Sequence, residues 1–557
     1  MRFEHVFGDQ PLRLNDVSYR TSGGNIVSVS RLSYLISHVK LIGADGFASA
    51  STEVVGFIDA EHDRLDFELG AVEAGNFVAI EFDVGLPPDI NHSDPSRYGP
   101  ADALNPVLNG LHWSWQGGYV FLAIEGRYVL PADALGGYSY HIATDRHLMK
   151  VRLGGPFTVE RSGSISVQFD VQRVFDGEQA VTISRTRGFD STHSGKDDLL
   201  AGMLASNIAR AFSLKGVSAE VVTTKTPAVP IAPPAGTHRT ALRIPEGFGE
   251  PPLPPDNPLT VEGVELGKKL FFEKKLSAGD VQSCADCHHP AAAFSDPGKV
   301  FSTGVDGLSG RRNTMPLFNL AWMTSMTWDG KRTRIRDQAL APIQDEREMH
   351  QPLGAAVAKL AAESGYQAAF ERAFGSPGVD AERLGLALEQ YLLTIVSGDS
   401  KFDRAMREED RLTPLEQRGL DLFVLEFDPA RGQLGADCFH CHGNELFTNN
   451  QFRNNGIDSS FADPGRQGVT GKSSDAGKFK VPSLRNVELT GPYMHDGRFA
   501  TLEEVIDHYA DGVRSSETLD PNISKHPDGG LALTCEDRRA LVAFLKTLTD
   551  PKFRDSD

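Results

Sequence analysis

The chain has 557 residues, 40% of them hydrophobic and 24% charged, an ordinary globular composition that is long enough for at least two domains. Its 56 basic and 75 acidic residues give a net charge of -19. This acidic balance argues against a nucleic-acid or anionic-membrane partner, because both need clustered positive charge. The 5 cysteines are too few for a disulfide scaffold. No window reaches the ~18 apolar residues that a membrane span requires.

Residues 1–225 alternate polar and apolar side chains in short runs that end at Gly, Pro, Asn or Asp. The runs at 119–124 and 164–175 are examples. This pattern predicts an all-β, antiparallel sandwich. One helix is predicted near the end of this region, at 199–212, because its apolar residues form a stripe.

Residues 226–258 form a Pro-rich segment with ten prolines, which disfavour helices and strand ladders. We therefore expect a stiff, extended linker. Beyond it the apolar residues take on helical spacing, and the long loops suggest that covalent cofactors help to hold this half together. The predicted helices are 259–272, 335–340, 353–374, 381–396, 414–427, 502–509 and 538–548.

Two C-x-x-C-H motifs occur in this helical half, at Cys284–His288 and Cys438–His442. The pattern is typical of c-type haem attachment, in which both thiols bond to the haem vinyl groups and the histidine binds the iron. One zinc site built from both cysteine pairs is the alternative, but it leaves the two adjacent histidines without a role. The attachment residues are therefore Cys284, Cys287, Cys438 and Cys441, with His288 and His442 as iron ligands.

Covalent haem attachment takes place on the exported side of a membrane. The sequence therefore predicts a periplasmic or otherwise exported protein whose signal peptide is absent from this sequence. The fifth cysteine, Cys535, precedes a predicted helix and is expected to be structural.

Residues 258–557 resemble the bacterial di-haem cytochrome c peroxidase superfamily, which includes MauG. The resemblance implies two mainly α-helical cytochrome c-type domains. The first, 259–410, would hold a high-spin peroxidatic haem, and the second, 411–557, a low-spin haem with a tyrosine ligand. The segments that carry the resemblance are 284–288, 310–314, 328–331, 342–343, 348–349, 438–442, 481–486 and 492–498.

The resemblance also implies roles at the first haem. The family's distal glutamate lies twenty residues after the tryptophan between the haems, and its glutamine lies ten residues before that glutamate. Counting from Trp328 places them at Glu348 and Gln338. Glu348 would move a proton between the oxygens of hydrogen peroxide, Gln338 would donate a hydrogen bond in the pocket, and Trp328 would carry electrons between the haems.

At the second haem the family's sixth iron ligand lies fourteen residues after His495, at Tyr509. The residues support this register, because a capping box at 501–504 predicts a helix start and the apolar stripe that follows includes Tyr509 but not His508. Met494 and His508 remain rival ligands. A tyrosine ligand lowers the reduction potential and favours oxidation of a protein side chain over simple peroxide removal. The family's calcium positions correspond to Asn313, Thr490 and Pro492, and oxygen ligands suit Ca²⁺.

Residues 1–225 resemble the MbnP family of copper-binding β-sandwiches, which are encoded beside di-haem MbnH enzymes. The segments 32–38, 85–92, 113–119 and 140–142 carry the resemblance. It implies that a tryptophan becomes kynurenine and joins histidines at a copper site. Trp113 and Trp115 are the candidates, and Trp113 is favoured. Imidazole suits copper, and the candidate ligands are His92 and His141, followed by His38 and His193.

Three functions are compatible with these patterns. The first is a di-haem enzyme that uses hydrogen peroxide to oxidise a tryptophan of its own N-terminal domain. The alternative is a cytochrome c peroxidase that takes electrons from a carrier and has an accessory copper-binding domain. The third is a copper carrier without enzymatic activity, in which Gln338 and Glu348 would have no function. The sequence does not distinguish oxidation within one chain from oxidation between the chains of a homodimer.

Overall fold

The computed structural model describes residues 1–44, 46, 48, 53–72, 74–113, 117–131, 134–159, 163–218, 231–526 and 530–554. The chain divides into two compact units. The β unit consists of Met1–Thr226, Glu426–Leu434 and Leu519–Asp528. The helical unit consists of Pro227–Leu425, Gly435–Thr518 and Gly529–Asp557. The predicted fold class, a β-rich N-terminal region followed by a helical region, is confirmed.

The β-strands are concentrated in the N-terminal region. They are β1 Arg2–Phe7, β2 Gln10–Pro11, β3 Tyr19–Arg20, β4 Ile26–Val27, β5 Arg31–Gly43, β6 Gly56–Asp59, β7 Gly75–Val84, β8 His112–Trp113, β9 Gly118–Val129, β10 Leu135–Ala143, β11 Met149–Val159, β12 Ser164–Asp170, β13 Ser191–Thr192, β14 Phe212–Ser218, β15 Phe427–Asp428, β16 Gln433–Leu434, β17 Phe452–Arg453 and β18 Phe479–Lys480.

The α-helices lie mostly beyond residue 258. They are α1 Pro88–Asn91, α2 Pro106–Asn109, α3 Gln172–Phe175, α4 Leu199–Ala209, α5 Val261–Phe271, α6 Ile335–Ala339, α7 Ala341–Gln344, α8 Leu353–Ala361, α9 Ser364–Phe374, α10 Ala381–Leu393, α11 Lys401–Met406, α12 Pro414–Val424, α13 Phe439–His442, α14 Gln467–Thr470, α15 Leu502–Asp507, α16 Pro521–Ser524 and α17 Cys535–Lys546.

Two large sheets form most of the β unit, in addition to the two-stranded β15–β16 sheet. The smaller has the strand order β14-β12-β1-β2, and the main path of the larger is β11-β7-β5-β9-β10-β13. Most pairs are antiparallel, as the alternating pattern predicts, but β1–β12 and β10–β13 are parallel. The central strands β5, β9 and β10 of the larger sheet are almost continuously buried, whereas β12 of the smaller sheet alternates between buried and half-buried residues. This difference is expected because a central strand is covered on both faces.

Aromatic side chains fill the space between the two sheets. Phe3 of β1 packs edge-on against Tyr34 of β5 and Phe82 of β7, with ring centroids 5.6 and 6.3 Å apart. Phe169 of β12 stacks on Phe212 of β14 at 4.5 Å. These side chains are large and almost fully buried, so their removal from water is a major contribution to the stability of this unit.

Each half of the helical unit contains a helix pair that depends on a glycine. Gly267 of α5 lies so close to α10 that a β-carbon there would be 1.9 Å from the Ala387 carbonyl oxygen. Gly419 of α12 has the same relation to α17, at 2.0 Å from the Ala540 carbonyl oxygen. Any larger side chain would force the helices apart. The repeated arrangement places equivalent helix pairs beside the two haem motifs.

The expected extended linker is a packed part of the helical unit over its described residues, 231–258. Phe248 is buried and packs edge-on against Trp322 at 5.6 Å. The indole nitrogen of Trp322 donates to the Gly249 carbonyl at 2.7 Å. The prolines do prevent regular structure, but apolar burial and these hydrogen bonds hold the segment in place.

Two predicted helices differ from the structure. The pattern at 353–374 is two helices, α8 and α9, because the backbone breaks at 362–363 before Ser364. The predicted helix 502–509 begins at its capping box between Thr501 and Glu504, but the α-helix ends at Asp507 and continues as one π-helical turn, 508–512. Among the described residues no helix is long and apolar enough to cross a bilayer.

Candidate functional site

The histidine of each C-x-x-C-H motif is oriented by the chain that follows it. His288 Nδ1 donates to the Phe294 carbonyl at 2.8 Å, and His442 Nδ1 donates to the Phe447 carbonyl, also at 2.8 Å. Burial lowers the pKa of His442 to about 4 and lowers that of His288 as well, so both imidazoles are neutral. A neutral imidazole that donates from Nδ1 keeps its lone pair on Nε2, which is the form that binds iron.

Both carbonyl acceptors belong to phenylalanines in the left-handed backbone region, with φ of 59° at Phe294 and 52° at Phe447. This conformation is costly for a bulky residue and persists only where the surroundings impose it. Phe294 packs against Phe271 at 5.7 Å, and Phe447 packs against Phe402 at 5.3 Å. Aromatic packing therefore stabilises the two turns that aim the histidines.

The first motif opens onto a large cavity in the helical unit, with a volume of about 1290 Å³. This volume exceeds that of ordinary small-molecule sites. Its lining includes both thiol-bearing residues of the first motif and the three residues predicted to be catalytic. They are Cys284, Cys287, His288, Gln338, Glu348 and Trp328. The thiols, the oriented imidazole and the size of the cavity fit a covalently attached haem, which would supply peroxide redox chemistry.

Glu348 is the acid–base candidate of this cavity. Its exposed surface faces the cavity, and the protein around it raises the pKa of its carboxyl to about 7, mainly by burial and secondarily through the nearby Asp345. Its backbone is held on both sides, because Val305 N donates to the Glu348 carbonyl at 2.9 Å and Glu348 N donates to the Asp345 carbonyl at 3.0 Å. A carboxyl that titrates near neutral pH can both accept and return a proton.

Two hydrogen bonds hold Trp328 in place. Its indole nitrogen donates to the Asn313 carbonyl at 2.9 Å, and its own carbonyl accepts from Lys480 N at 2.8 Å. The indole is therefore held in one orientation at the cavity wall.

The predicted sixth ligand of the second haem, Tyr509, lies near one of its rivals. Asn455 Nδ2 donates to the Tyr509 hydroxyl at 3.1 Å and lies 3.4 Å from Met494 Sδ. The expectation that His508 points away was wrong, because His508 is only 6% exposed. The π-helical turn shifts the helical phase at this point. His508 Nε2 is hydrogen-bonded to the Asn455 carbonyl at 3.0 Å, so that nitrogen has a protein partner.

The predicted calcium positions either are hydrogen-bonded to the loop 298–300 or lie next to a residue that is. Asn313 Nδ2 donates to the carbonyls of Lys299 and Val300 at 3.2 and 3.1 Å. Gly298 N donates to the Gly491 carbonyl at 3.1 Å, between Thr490 and Pro492. Calcium binding by these residues stays a prediction.

In the β unit the structure brings together Trp113, His141 and His193. Trp113 in β8 is 8% exposed, and its ring centroid lies 5.8 Å from His141 and 5.6 Å from His193. The two imidazoles are 4.8 Å apart. The parallel pairing of Tyr140 with Thr192 places the two histidines side by side. His112 packs instead against Tyr119, as expected for alternation along a strand.

Buried carboxylates hold both histidines. His141 Nε2 donates to Glu125 Oε1 at 3.0 Å, and Glu125 is diagonal to it across the β9–β10 pair. His193 Nδ1 is paired with Glu426, which also accepts from Lys525. Burial lowers the pKa of His141 despite Glu125. A neutral His141 that donates from Nε2 keeps its lone pair on Nδ1, as in carboxylate–histidine–metal sites.

The other predicted copper ligands have different surroundings. His92 is exposed and bonds to the Gly117 carbonyl at 2.9 Å and to Asp145 at 3.0 Å. His38 is paired with Asp83 at 3.0 Å. The ring contacts of Trp113 given above are with His141 and His193 instead. The second candidate tryptophan, Trp115, lies outside the described residues.

Sequence reasoning missed the residues that support these groups. Glu426 and Lys525 join the β unit from segments more than 200 positions beyond the Trp113 strand, and Glu125 reads as an ordinary strand residue. Asn455 and Lys480 also carry no motif that would single them out. The sequence also gives no indication that Phe294 and Phe447 adopt the left-handed backbone conformation, since glycine or asparagine is the usual residue there.

Comparison with known proteins supports both family resemblances, that of the helical half and that of the N-terminal half. The family model for di-haem cytochrome c peroxidase matches residues 261–411, and the MbnP family model matches residues 1–194. Methylamine utilization protein MauG of Methylorubrum extorquens is 37% identical over 314 residues, which cover 56% of this chain and 84% of that protein. Cytochrome c551 peroxidase of Nitrosomonas europaea is 31% identical over 54% of this chain and 85% of that protein.

A solved structure supports the same assignment. It is a MauG-like protein associated with microbial copper homeostasis, 33% identical with a TM-score of 0.50, and the match covers 56% of this chain and 96% of that one. The chain therefore belongs to the di-haem cytochrome c peroxidase family, and it joins this domain to an N-terminal MbnP domain. Membership implies a peroxide-dependent oxidoreductase with two c-type haems, and the MbnP domain implies copper.

Replacing Glu348 by glutamine removes the proton acceptor but keeps the shape of the side chain. We expect peroxide consumption to slow by about 10²- to 10⁴-fold. In the unmodified protein the rate should rise as the pH passes through about 7, because only the ionised carboxyl accepts a proton. Stopped-flow measurements from pH 5.5 to 8.5 test this, with exposed Glu346→Gln as the control. A Glu348→Gln enzyme with the full rate and the same pH profile would contradict the assignment.

Replacement of each rival at the second haem identifies its sixth ligand. Tyr509→Phe removes the phenolic oxygen, so we expect the low-spin electron paramagnetic resonance signal to change, whereas Met494→Leu should leave it unaltered. A spectrum that responds to Met494→Leu and not to Tyr509→Phe would make Met494 the ligand.

Proposed function

We propose that the haem domains use hydrogen peroxide to oxidise Trp113 of the MbnP domain to kynurenine, and that the product joins His141 and His193 at a copper site. The observation that carries this proposal is the position of the Trp113 indole against two carboxylate-held histidines. A tryptophan placed in this way is both a candidate substrate and a precursor of a metal ligand.

The oxidation balances with peroxide as the sole oxidant. Tryptophan and two molecules of hydrogen peroxide give N-formylkynurenine and two molecules of water. The indole C2–C3 bond breaks, two carbonyl groups form, and two O–O bonds are reduced. Hydrolysis then releases formic acid and leaves kynurenine, whose aniline nitrogen and carbonyl oxygen are new donor atoms.

In this proposal the chain's own groups have separate tasks at the first haem. The Glu348 carboxylate takes the proton from one peroxide oxygen and returns it to the other, which becomes water. Gln338 donates a hydrogen bond to the bound peroxide. Trp328, fixed by its two hydrogen bonds, relays single electrons within the helical unit. The haem iron, when bound, supplies the redox chemistry.

The donor set in the β unit suits copper. Imidazole is a common ligand for this metal, and the carboxylates Glu125 and Glu426 fix the orientation of both rings. Similarity to the MauG-like protein associated with microbial copper homeostasis supports the same chemistry. We further propose that the protein works on the exported side of a membrane, where haem attachment and copper handling both take place.

A second candidate function is reduction of hydrogen peroxide with electrons from a carrier protein. One observation favours it, since Met494 lies beside the same Asn455 amide as Tyr509, and a methionine ligand raises the reduction potential. In that case the MbnP domain would be an accessory copper-binding domain.

Peptide mass spectrometry before and after peroxide treatment tests the first function. Conversion of tryptophan to kynurenine adds about 4 Da, and we expect this change on the peptide that contains Trp113, in the holoprotein only. Trp113→Phe should abolish it, and Glu348→Gln should suppress it. Separate identification of Trp115 in the fragment spectrum serves as the internal control.

If the masses of the peptides that contain Trp113 and Trp115 stay unchanged after several equivalents of peroxide, the oxidation proposal is wrong. If peroxide were still consumed, that result would leave the carrier-dependent peroxidase as the function. Mixing an unlabelled Glu348→Gln chain with an isotope-labelled active chain shows whether one chain modifies another.

Copper titration in competition with a chromogenic chelator tests the proposed ligands. His141→Ala and His193→Ala should each weaken copper binding by at least about 10-fold, since even outer partners of metal ligands matter by 10- to 100-fold. His38→Ala and His92→Ala should leave the affinity unchanged, because the Trp113 ring is in contact with His141 and His193 instead. The reverse pattern would move the site to the originally favoured His92.

A further inference from the structure

Lys480 is a buried amine in the wall of the cavity beside the first haem motif. It ends strand β18 and is 4% exposed, and it lines the cavity together with Cys284 and His288. Its Nζ donates to the Ser325 carbonyl at 2.6 Å. In the described part of the chain Nζ has no other hydrogen-bond acceptor and no ion-pair partner.

Such a group is unfavourable by itself. An ammonium has three N–H donors, and a buried charge without a counter-charge costs several kcal/mol. Burial accordingly lowers the pKa of Lys480 to about 7. Lys525, which is just as buried, is paired with the Glu426 carboxylate. Arg312 on the same cavity wall is paired with Asp329 and Asp463.

The missing counter-charge is expected inside the cavity. The thiols of Cys284 and Cys287 fix where a haem is attached, and a haem carries two propionate carboxylates that need cationic or hydrogen-bonding partners in a protein interior. A carboxylate next to Nζ would satisfy the remaining N–H donors and neutralise the charge.

We propose that Lys480 binds a carboxylate within this cavity and that a propionate of the first haem supplies it. Lys480 would then be a positioning residue with two contacts, since its main-chain N–H donates to the Trp328 carbonyl while its side chain holds the cofactor. The same residue would thereby set the cofactor's placement relative to Trp328. This inference rests on the shared haem chemistry of the family and is independent of tryptophan oxidation.

Variants of the holoprotein test the proposal. Lys480→Met keeps the length of the side chain but removes its charge, and Lys480→Arg keeps the charge. Lys331→Met, an exposed lysine on the same cavity wall, is the matched control. Intact mass and thermal melting first establish that each variant carries two haems and is folded.

We expect Lys480→Met to shift the midpoint potential of the first haem to a lower value in spectroelectrochemical titration, because loss of a buried cation favours the oxidised state. The propionate bending band in the resonance Raman spectrum should shift as well. Lys480→Arg should restore both signals, and Lys331→Met should match the unmodified protein. Unchanged potential and Raman band in a folded, fully haem-loaded Lys480→Met protein would overturn the proposal.

A second arm identifies the source of the carboxylate. If a small free anion were the ligand, the potential of the unmodified protein would depend on added acetate, and Lys480→Met would remove that dependence. That outcome would overturn the assignment to the propionate. Insensitivity to acetate together with the Raman shift supports it.

Discussion

The hydrogen bond from each haem-motif histidine to a downstream carbonyl is the interaction on which the helical unit depends. His288 and His442 can present Nε2 to an iron only if Nδ1 carries the proton and has an acceptor. The acceptors are carbonyls of phenylalanines in the left-handed region, so the required turn is strained. Aromatic packing around Phe294 and Phe447 offsets that strain, which couples the cofactor sites to the core of each half.

The β unit applies the same principle with carboxylates in place of carbonyls. Glu125 and Glu426 accept from His141 and His193, and both carboxylates are buried. Burying charges is favourable only where each has a partner, and here Arg31 and Lys525 provide positive charge next to them. The result is a pair of oriented imidazoles beside Trp113, and the proposed copper site rests on this arrangement.

The periodicity of apolar residues predicted the types of the elements well, but it predicted less well which side chains of a helix face inward. The alternating run at 119–124 is a strand, the run at 164–175 is a strand only up to Asp170 and ends in a short helix, and a helix does start at the capping box of Thr501. The orientation of His508 in the same helix was predicted wrongly, because a π-helical turn changes the number of residues per turn. No residue in this segment indicates such a turn from the sequence. The Pro-rich segment shows a related limit, since proline excludes regular structure but does not prevent packing through Phe248.

The sequence by itself determined the chemistry: two C-x-x-C-H motifs, the spacing of Gln338 and Glu348 from Trp328, and a histidine-rich strand region with Trp113 and Trp115. Motifs of this kind are local, so their residue types and spacings are visible along the chain. The tertiary structure decided which histidines meet, because His141 and His193 come together only through a parallel strand pair and are held by Glu426 from far along the chain. It also revealed Lys480, which is buried without a counter-charge among the described residues, a property of the folded surroundings that no single residue encodes.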